Sequence, residues 1–489
     1  MKRDHPMTFN VLLMQPYALT GNVFRRVSGV MPPLNLAYLA GFLKKKARAL
    51  NLALDVSILD LELDPLPLST LKRELLARKP DLIGFTVNTN TLPSVTALSR
   101  VVKKILPCTS ILLGGPHPTV EPEKTLEIAP CFDFIVCNEG EQTLLELVIK
   151  LANGEHDFKS VNGLCFKTAE TGAIVCSEAR PFIEDLRDVG SPAIELLDYE
   201  KYLKYPQSPG IWKKTANVFT ERGCPFSCTF CASPVINKRV ARFFPIDMVL
   251  TEIKQLKERY NIKHVNFRDS NFTLNRKRCI DLCLEMMRQK LDITWNCETR
   301  VNLVDKMLLK IMKAAGCIKI SFGVESGSPR ILKEIKKGIT VQDVRKAFRL
   351  CADIGIKTQA YFMTGFPSED IKDLDASLRL IEEIKPDFLF VSLVVPLPGT
   401  AIFSEFKDQN LISDPDRYES FQFFYQKPSW RTNHFDGTSL AKIQRRIYSR
   451  YILSPRYFIR MIKQINGFSQ LQYYLNAFLG FFEFLVKRR

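Results

Sequence analysis

Between residue 9 and about residue 150, short apolar runs alternate with stretches whose apolar positions recur at helical spacing. The runs at 9–15, 54–59, 81–87, 110–114 and 134–137 are short and mostly apolar, which predicts buried strands. The stretches at 34–46, 70–78, 93–105, 123–128 and 141–151 carry the period of amphipathic helices. Strand and helix in alternation predict a parallel sheet covered on both faces, a doubly wound α/β domain of flavodoxin or Rossmann type. Ligands of such sheets gather at the carboxyl ends of the strands. Those ends carry Gln15-Pro16, Thr86-Val87-Asn88, Gly114-Gly115-Pro116-His117 and Asn138-Glu139-Gly140-Glu141.

From 152 to 214 this rhythm lapses into Gly, Pro and turn signals, which reads as a linker with some strand content. It returns in the runs 216–220, 264–267, 293–297, 318–323, 358–363 and 388–394, separated by helical patterns such as 247–260, 304–315 and 341–354. Six strands with intervening helices predict a partial (β/α)6 barrel, whose chemistry belongs at the strand C-termini. Past Pro396-Leu397-Pro398-Gly399-Thr400 comes an aromatic-rich connection and then a basic helical tail. The expected domains are residues 1–155, a linker over 156–214, the barrel over 215–400 and a mostly helical extension over 401–489.

Composition changes this picture only at the edges. At 46% hydrophobic and 25% charged residues the chain has ordinary globular usage, which argues against disorder. No uncharged apolar stretch approaches the roughly 18 residues of a membrane span, and the first residues offer no signal-peptide pattern. A cytoplasmic protein is expected. The net charge of +17 is concentrated late: residues 438–489 hold ten Lys and Arg against the single acid Glu483. No nucleic-acid module accompanies that tail. Peripheral contact with an anionic membrane surface is one reading of it, and a helix packed on the barrel is the other.

Most of the thirteen cysteines, among them Cys108, Cys137, Cys165, Cys283 and Cys351, stand singly in apolar surroundings and read as buried thiols. Three do not. Glu221-Arg222-Gly223-Cys224-Pro225-Phe226-Ser227-Cys228-Thr229-Phe230-Cys231 follows the first barrel strand and sets Cys224, Cys228 and Cys231 at C-x3-C-x2-C spacing. Iron–sulfur clusters take Cys thiolates from short curved loops because the ligands converge on one small cube. Three ligands for four irons leave one iron open. A zinc site would need a fourth ligand and usually brings its cysteines in two separated pairs, and no second pair exists.

This loop resembles that of the radical S-adenosylmethionine superfamily, whose open iron is chelated by the amino and carboxylate groups of the cofactor. The likeness continues at the strand ends: Phe267-Arg268-Asp269-Ser270-Asn271-Phe272-Thr273, Trp295-Asn296-Cys297-Glu298-Thr299-Arg300, Phe322-Gly323-Val324-Glu325-Ser326-Gly327 and Thr364-Gly365-Phe366-Pro367-Ser368-Glu369. It implies that Cys224, Cys228 and Cys231 hold a [4Fe–4S] cluster and that Phe230 packs near the adenine. Asp269 should meet the methionyl amino group and Arg300 its carboxylate. Glu325 and Ser326 should lie near the ribose, and Gly365 should let the backbone approach the adenine.

The first domain resembles the cobalamin-binding domain of the class B radical methyltransferases, through Met31-Pro32-Pro33-Leu34-Asn35-Leu36-Ala37-Tyr38-Leu39-Ala40 and the Gly114 and Asn138 segments. On that resemblance Pro33, Thr86, Gly114, Gly115, His117, Glu139 and Gly140 are expected along cobalamin. The Asp-x-His-x-x-Gly loop of the methionine-synthase type is absent after the first strand, where Gln15-Pro16-Tyr17-Ala18-Leu19-Thr20-Gly21 stands, so no histidine there should ligate cobalt. His117 reads as a ligand or, between its two prolines, as a turn residue.

The resemblance implies that one electron on the cluster cleaves S-adenosylmethionine to a 5′-deoxyadenosyl radical, and that cobalamin delivers a methyl group to an unactivated carbon. It also implies an electron donor such as flavodoxin or ferredoxin and a small-molecule, lipid or tetrapyrrole substrate. A radical cyclase of the anaerobic porphyrin type is the alternative, and a non-catalytic cobalamin sensor is the rival of another class.

Overall fold

The computed structural model describes residues 8–17, 29–168, 171–425, 427–455 and scattered positions from 457 to 479. The chain divides into two compact units, one built on residues 31–202 with the first strand and the other on residues 203 onward.

In the first unit the strands are β1 (Phe9–Gln15), β2 (Leu54–Asp60), β3 (Leu82–Thr86), β4 (Ser110–Gly114), β5 (Phe134–Val136), β6 (Leu164–Lys167) and β7 (Ile174–Cys176). They form one sheet in the order β2-β1-β3-β4-β5-β6-β7. The first five run parallel, and β6 and β7 add antiparallel strands at the edge. Val11, Leu13, Ile83, Leu113 and Ile135 are buried along the parallel strands, as continuous apolar runs require. Strand order reverses at β1, and the helices Leu34–Ala49 and Leu92–Ile105 leave the C-terminal ends on either side of that switch point.

Leu164–Lys167 and Ile174–Cys176, within the segment expected to be a linker, thus extend this sheet. At four and three residues, β6 and β7 are too short to print a period. Tyr202 Oη donates to Asp60 Oδ2 at 2.6 Å, tying the far end of the segment back to β2. Cys165 is not the single buried thiol expected. It is disulfide-bonded to Cys176, its directly paired neighbour across β6 and β7, with the Cα atoms 4.1 Å apart.

The second unit begins with β8 (Thr215–Val218), then the short antiparallel pair β9 (Glu221–Arg222) and β10 (Arg242–Phe243). The parallel strands continue as β11 (His264–Phe267), β12 (Thr294–Thr299), β13 (Cys317–Glu325), β14 (Lys357–Thr364) and β15 (Phe388–Leu393). The sheet order β15-β14-β13-β12-β11-β8 follows the sequence, as successive βα units produce. Start and stop signals set the helices between them. Thr340 and Asp343 form a capping box at the start of Val341–Ile354, and Gly355 at φ 76° ends it in the left-handed region.

Strand alternation sends polar side chains to the inner face of this sheet. Near its amino end, His264 Nε2 lies 2.6 Å from Asn296 Oδ1, and Asn266 Nδ2 donates to Asn217 Oδ1 at 3.2 Å. Residues 207–209 cap this set. Asn217 donates to Gln207 Oε1 at 3.2 Å, and Lys319 Nζ donates to Ser208 Oγ and, at 3.2 Å, to the Pro209 carbonyl. Lys319 is fully buried, and burial lowers its pKa from 10.5 to about 7. The folded chain therefore sheds this proton near neutrality while the unfolded chain keeps it to near 10.5, so folding releases a proton across that window. The site's contribution to stability is complete above the window and is lost as pH falls through 7. Relative to Lys319→Met, the wild type should gain about 2 kcal/mol of unfolding free energy between about pH 7 and pH 9. Denaturant melts of both proteins at the two pH values check this; a pH-independent difference would contradict it.

The helix Gly437–Ile452, capped by Asp436, packs on the outer strand of the sheet. Gln444 Nε2 donates to the Val391 carbonyl at 2.8 Å, and the Val391 amide donates to Tyr448 Oη at 2.7 Å. A helix laid there covers an otherwise open sheet edge. The first part of the basic tail is thus a packing element. Its last apolar run, 473–482, lies for the most part outside the described residues, and no described helix is long and apolar enough to cross a membrane.

Candidate active site

Gly223 (φ 89°) turns the chain from β9 into the cysteine loop, and the Val240 carbonyl packs where a Cβ would stand. The loop is braced from below by a buried polar network. Asp269 receives the Thr220 amide at 2.6 Å, the Thr220 hydroxyl at 2.6 Å and the Glu221 amide at 3.0 Å. Glu221 Oε1 accepts from the Asn271 amide at 2.8 Å, and Arg278 donates to the Thr220 carbonyl at 3.1 Å. Burial raises Asp269 to about pKa 6, and burial and then the Asp269 charge raise Glu221 to about 8.

Cys224, Cys228 and Cys231 open on one cavity of about 200 Å³, shared with Phe226, Phe230, Asn271, Glu298, Arg300, Ser321, Glu325, Lys337 and Tyr361. Each thiol has its own nitrogen donor. Asn271 Nδ2 reaches Cys224 Sγ at 3.2 Å, Arg300 Nη1 reaches Cys228 Sγ at 3.6 Å, and the Ser233 amide reaches Cys231 Sγ at 3.4 Å. Burial raises the pKa of Cys231 to about 11 and that of Cys224 above its usual value, so without metal these thiols hold their protons at neutral pH. Iron would displace them, and the three donors would then tune the reduction potential of a bound cluster. No three His, Cys, Asp or Glu among the described residues converge on a single ion. A four-iron cube takes one thiolate per iron, so separate thiols facing one cavity suit it and not a mononuclear site.

The structure redistributes several expected cofactor contacts. Asp269, expected at the methionyl amino group, spends its oxygens on Thr220 and Glu221, and Ser270 and Asn271 line the cavity instead. Ser326, expected near the ribose, is fully buried; its hydroxyl accepts the Ser328 amide at 3.1 Å and lies 3.3 Å from Ser377 Oγ. At Gly365 (φ 97°) the space for a Cβ is met by the Leu440 side chain at 3.2 Å, not by the cavity. Arg300 does line the cavity, but its guanidinium is already engaged by Cys228, the Lys337 carbonyl and the Phe226 ring, 3.8 Å below it. Phe230 and Glu325 stand in the cavity wall. Glu325 Oε1 is paired with Lys337 Nζ at 2.7 Å, both side chains nearly buried. Lys337, Glu298 and Tyr361 were not foreseen. Tyr361 Oη donates to Glu298 Oε1 at 3.0 Å, and the only trace of this in the sequence is that both occupy inward positions of their strands.

In the first unit, Pro33, Thr86, Gly114, Gly115, Glu139 and Gly140 fall at or beside the C-terminal edge of the parallel strands. Thr86 Oγ1 accepts from Asn35 Nδ2 at 3.0 Å, and Glu139 Oε2 accepts the Ile183 amide at 3.0 Å. Gly115 (φ 103°) is a turn glycine, whose Cβ would stand 3.0 Å from both the amide nitrogen and the carbonyl oxygen of Val87. Gly114 is different: among the described residues a Cβ there meets nothing nearer than the Val136 oxygen at 3.9 Å, which leaves space beside the strand end. His117 lies in the short helix Pro116–Val120. It is 1% exposed, Nδ1 is 3.2 Å from Thr89 Oγ1, and burial lowers its pKa to about 4.

The chain belongs to the radical S-adenosylmethionine superfamily, in the group that carries a B12-binding domain ahead of the barrel, and it is an enzyme that uses a [4Fe–4S] cluster, S-adenosylmethionine and cobalamin. The B12 binding domain model matches residues 22–148 and the radical SAM superfamily model residues 218–381. An uncharacterized methyltransferase of Pyrococcus horikoshii is 32% identical over 94% of this chain and 95% of its own. The anaerobic magnesium-protoporphyrin IX monomethyl ester cyclase of Rubrivivax gelatinosus is 30% identical over 83% of this chain and 72% of its own. Among solved structures, the radical S-adenosylmethionine methyltransferase TsrM of Kitasatospora setae, with cobalamin and a [4Fe–4S] cluster bound, superposes with a TM-score of 0.71. The match has 18% identity and covers 93% of this chain and 90% of that one, a likeness of fold.

Proposed function

We propose that this enzyme methylates an unactivated carbon of a small-molecule, lipid or tetrapyrrole substrate. The observation that carries the reading is that one chain holds both a three-thiol cavity in its second unit and, in its first, an α/β sheet with an open Gly114 edge. When bound, the cluster and S-adenosylmethionine supply a radical at the adenosyl 5′ carbon, and cobalamin supplies the methyl group. The chain's own part is to hold and orient. Asn271, Arg300 and the Ser233 amide steady the three thiolates. Glu325 and Lys337 offer a paired carboxylate and ammonium to the polar groups of S-adenosylmethionine, and Phe230 offers a ring face to its adenine. Glu298 and Tyr361 are a carboxylate and a phenol on the substrate's side of the same cavity.

The cyclase relative supports a second reading, in which the radical drives an oxidative ring closure. A trideuteromethyl label on S-adenosylmethionine separates the two. Methyl transfer puts the intact labelled methyl on a carbon of the product, whereas cyclisation yields 5′-deoxyadenosine and a product with no added carbon. A cytoplasmic location, with peripheral membrane contact through the tail, completes the proposal. Leu453, Ile459, Ile462, Leu475 and Leu479 are exposed apolar side chains along that basic segment, a composition suited to an anionic lipid surface.

A further inference from the structure

The geometry points to the surface formed by Val235, Lys238, Arg239 and Val240 as the docking face for a small acidic one-electron carrier protein that reduces the cluster. This rests on the reading of Cys224, Cys228 and Cys231 as cluster ligands.

The surface touches the cysteine loop at both ends. The short helix Ser233–Ile236 begins with the amide that donates to Cys231 Sγ at 3.4 Å, and it carries Val235. The turn that follows is tied back by Asn237 Nδ2 donating to Ser233 Oγ at 3.1 Å. It then brings the Val240 carbonyl against Gly223, next to Cys224. Residues 233–240 thus lie directly against the loop that carries the three thiols. On another side the loop is held against the barrel. Its Thr229 amide donates to the Ile335 carbonyl at 3.1 Å, and Arg300 and Lys337 enclose the side of Cys228.

The chemistry of the face is that of a transient redox interface. Val235 and Val240 are 37% and 42% exposed, an apolar centre, and Lys238 and Arg239 are exposed beside them. Lys238 and Arg239 are the exposed basic residues of the segment 232–246, which holds no acid, while Arg242 is buried. A small apolar patch with one sign of charge gives steering and fast release and does not give tight binding, as weak electron-transfer encounters need. The step balances simply: the reduced carrier gives up one electron and the cluster gains it.

The test uses the full-length reconstituted enzyme, with 5′-deoxyadenosine as readout and two reductants. One is flavodoxin kept reduced by its reductase, and the other is dithionite, a small ion that needs no docking face. The double reversal Lys238→Glu with Arg239→Glu should lower the flavodoxin-driven rate at low salt by at least about tenfold while dithionite-driven turnover stays at the wild-type level. Raising salt should slow the wild type with flavodoxin and narrow the gap between it and the variant, because screening weakens both the attraction and the repulsion. Equal flavodoxin-driven rates in variant and wild type would overturn the proposal. So would parallel loss with both reductants, which would make the turn a support for the cluster loop. If the wild type forms no 5′-deoxyadenosine even with dithionite, it is the cluster reading that has failed. Binding of wild type but not variant to anionic phospholipid vesicles, with flavodoxin-driven rates equal, would assign the patch to a membrane and overturn the carrier.

Discussion

Cys228→Ala should reduce 5′-deoxyadenosine formation to background in anaerobically reconstituted protein, with dithionite as reductant. Cys228 is the most enclosed of the three thiols, and it faces the Arg300 guanidinium inside the cavity. With Ala there, two thiolates cannot hold a four-iron cube, and Arg300 loses its sulfur partner while keeping the Lys337 carbonyl and the Phe226 ring. The barrel strands do not run through this loop, so the loss should be local: iron content collapses while the melting temperature shifts by only a few degrees. The matched control is Cys279→Ala. Cys279 is as buried, but it lies in the helix Arg276–Arg288, outside the cavity lining. That variant should cost about 1 kcal/mol of stability and keep its iron. Cleavage at the wild-type rate by Cys228→Ala would remove the cluster from this loop.

Gly114→Phe should lower cobalamin retention by at least about tenfold without touching iron content or dithionite-driven formation of 5′-deoxyadenosine. The choice of glycine matters. At Gly115 a side chain would meet the Val87 backbone at 3.0 Å and suffer the left-handed conformation, so any loss of cofactor there would be confounded with a broken turn. At Gly114 the Cβ direction is open, and a bulky ring would occupy the space beside β4 that is proposed for the cofactor. The measurement is cobalt by absorbance and iron by colorimetry on the same sample. Unchanged cobalt would move the cobalamin away from β4.

The strands of both sheets were legible because buried parallel strands print continuous apolar runs. β1, β4 and β11 begin and end where those runs do. β6 and β7 escaped because a disulfide and a short hairpin define them, and neither leaves a period. The cluster loop was legible because its three ligands sit in one local segment. The side-chain partners of Asp269 and Ser326 were not legible, for the opposite reason. A motif fixes where a residue stands along a strand end, but the direction of its side chain is decided by hydrogen-bond partners remote in sequence, Thr220 for one and Ser377 for the other. Lys337 reaches the cavity only because the turn after Pro329–Glu334 folds back, with Lys336 at φ 51°, and no periodicity announces that.

The most direct measurement of the account is the content and turnover of the wild-type protein itself. Anaerobic reconstitution with iron, sulfide and saturating hydroxocobalamin should leave about one cobalamin per chain. The same sample should release 5′-deoxyadenosine from S-adenosylmethionine once a reductant is added. A protein that keeps its iron and cleaves S-adenosylmethionine but retains no cobalamin would contradict the methyl-transfer reading and leave a radical enzyme of another kind.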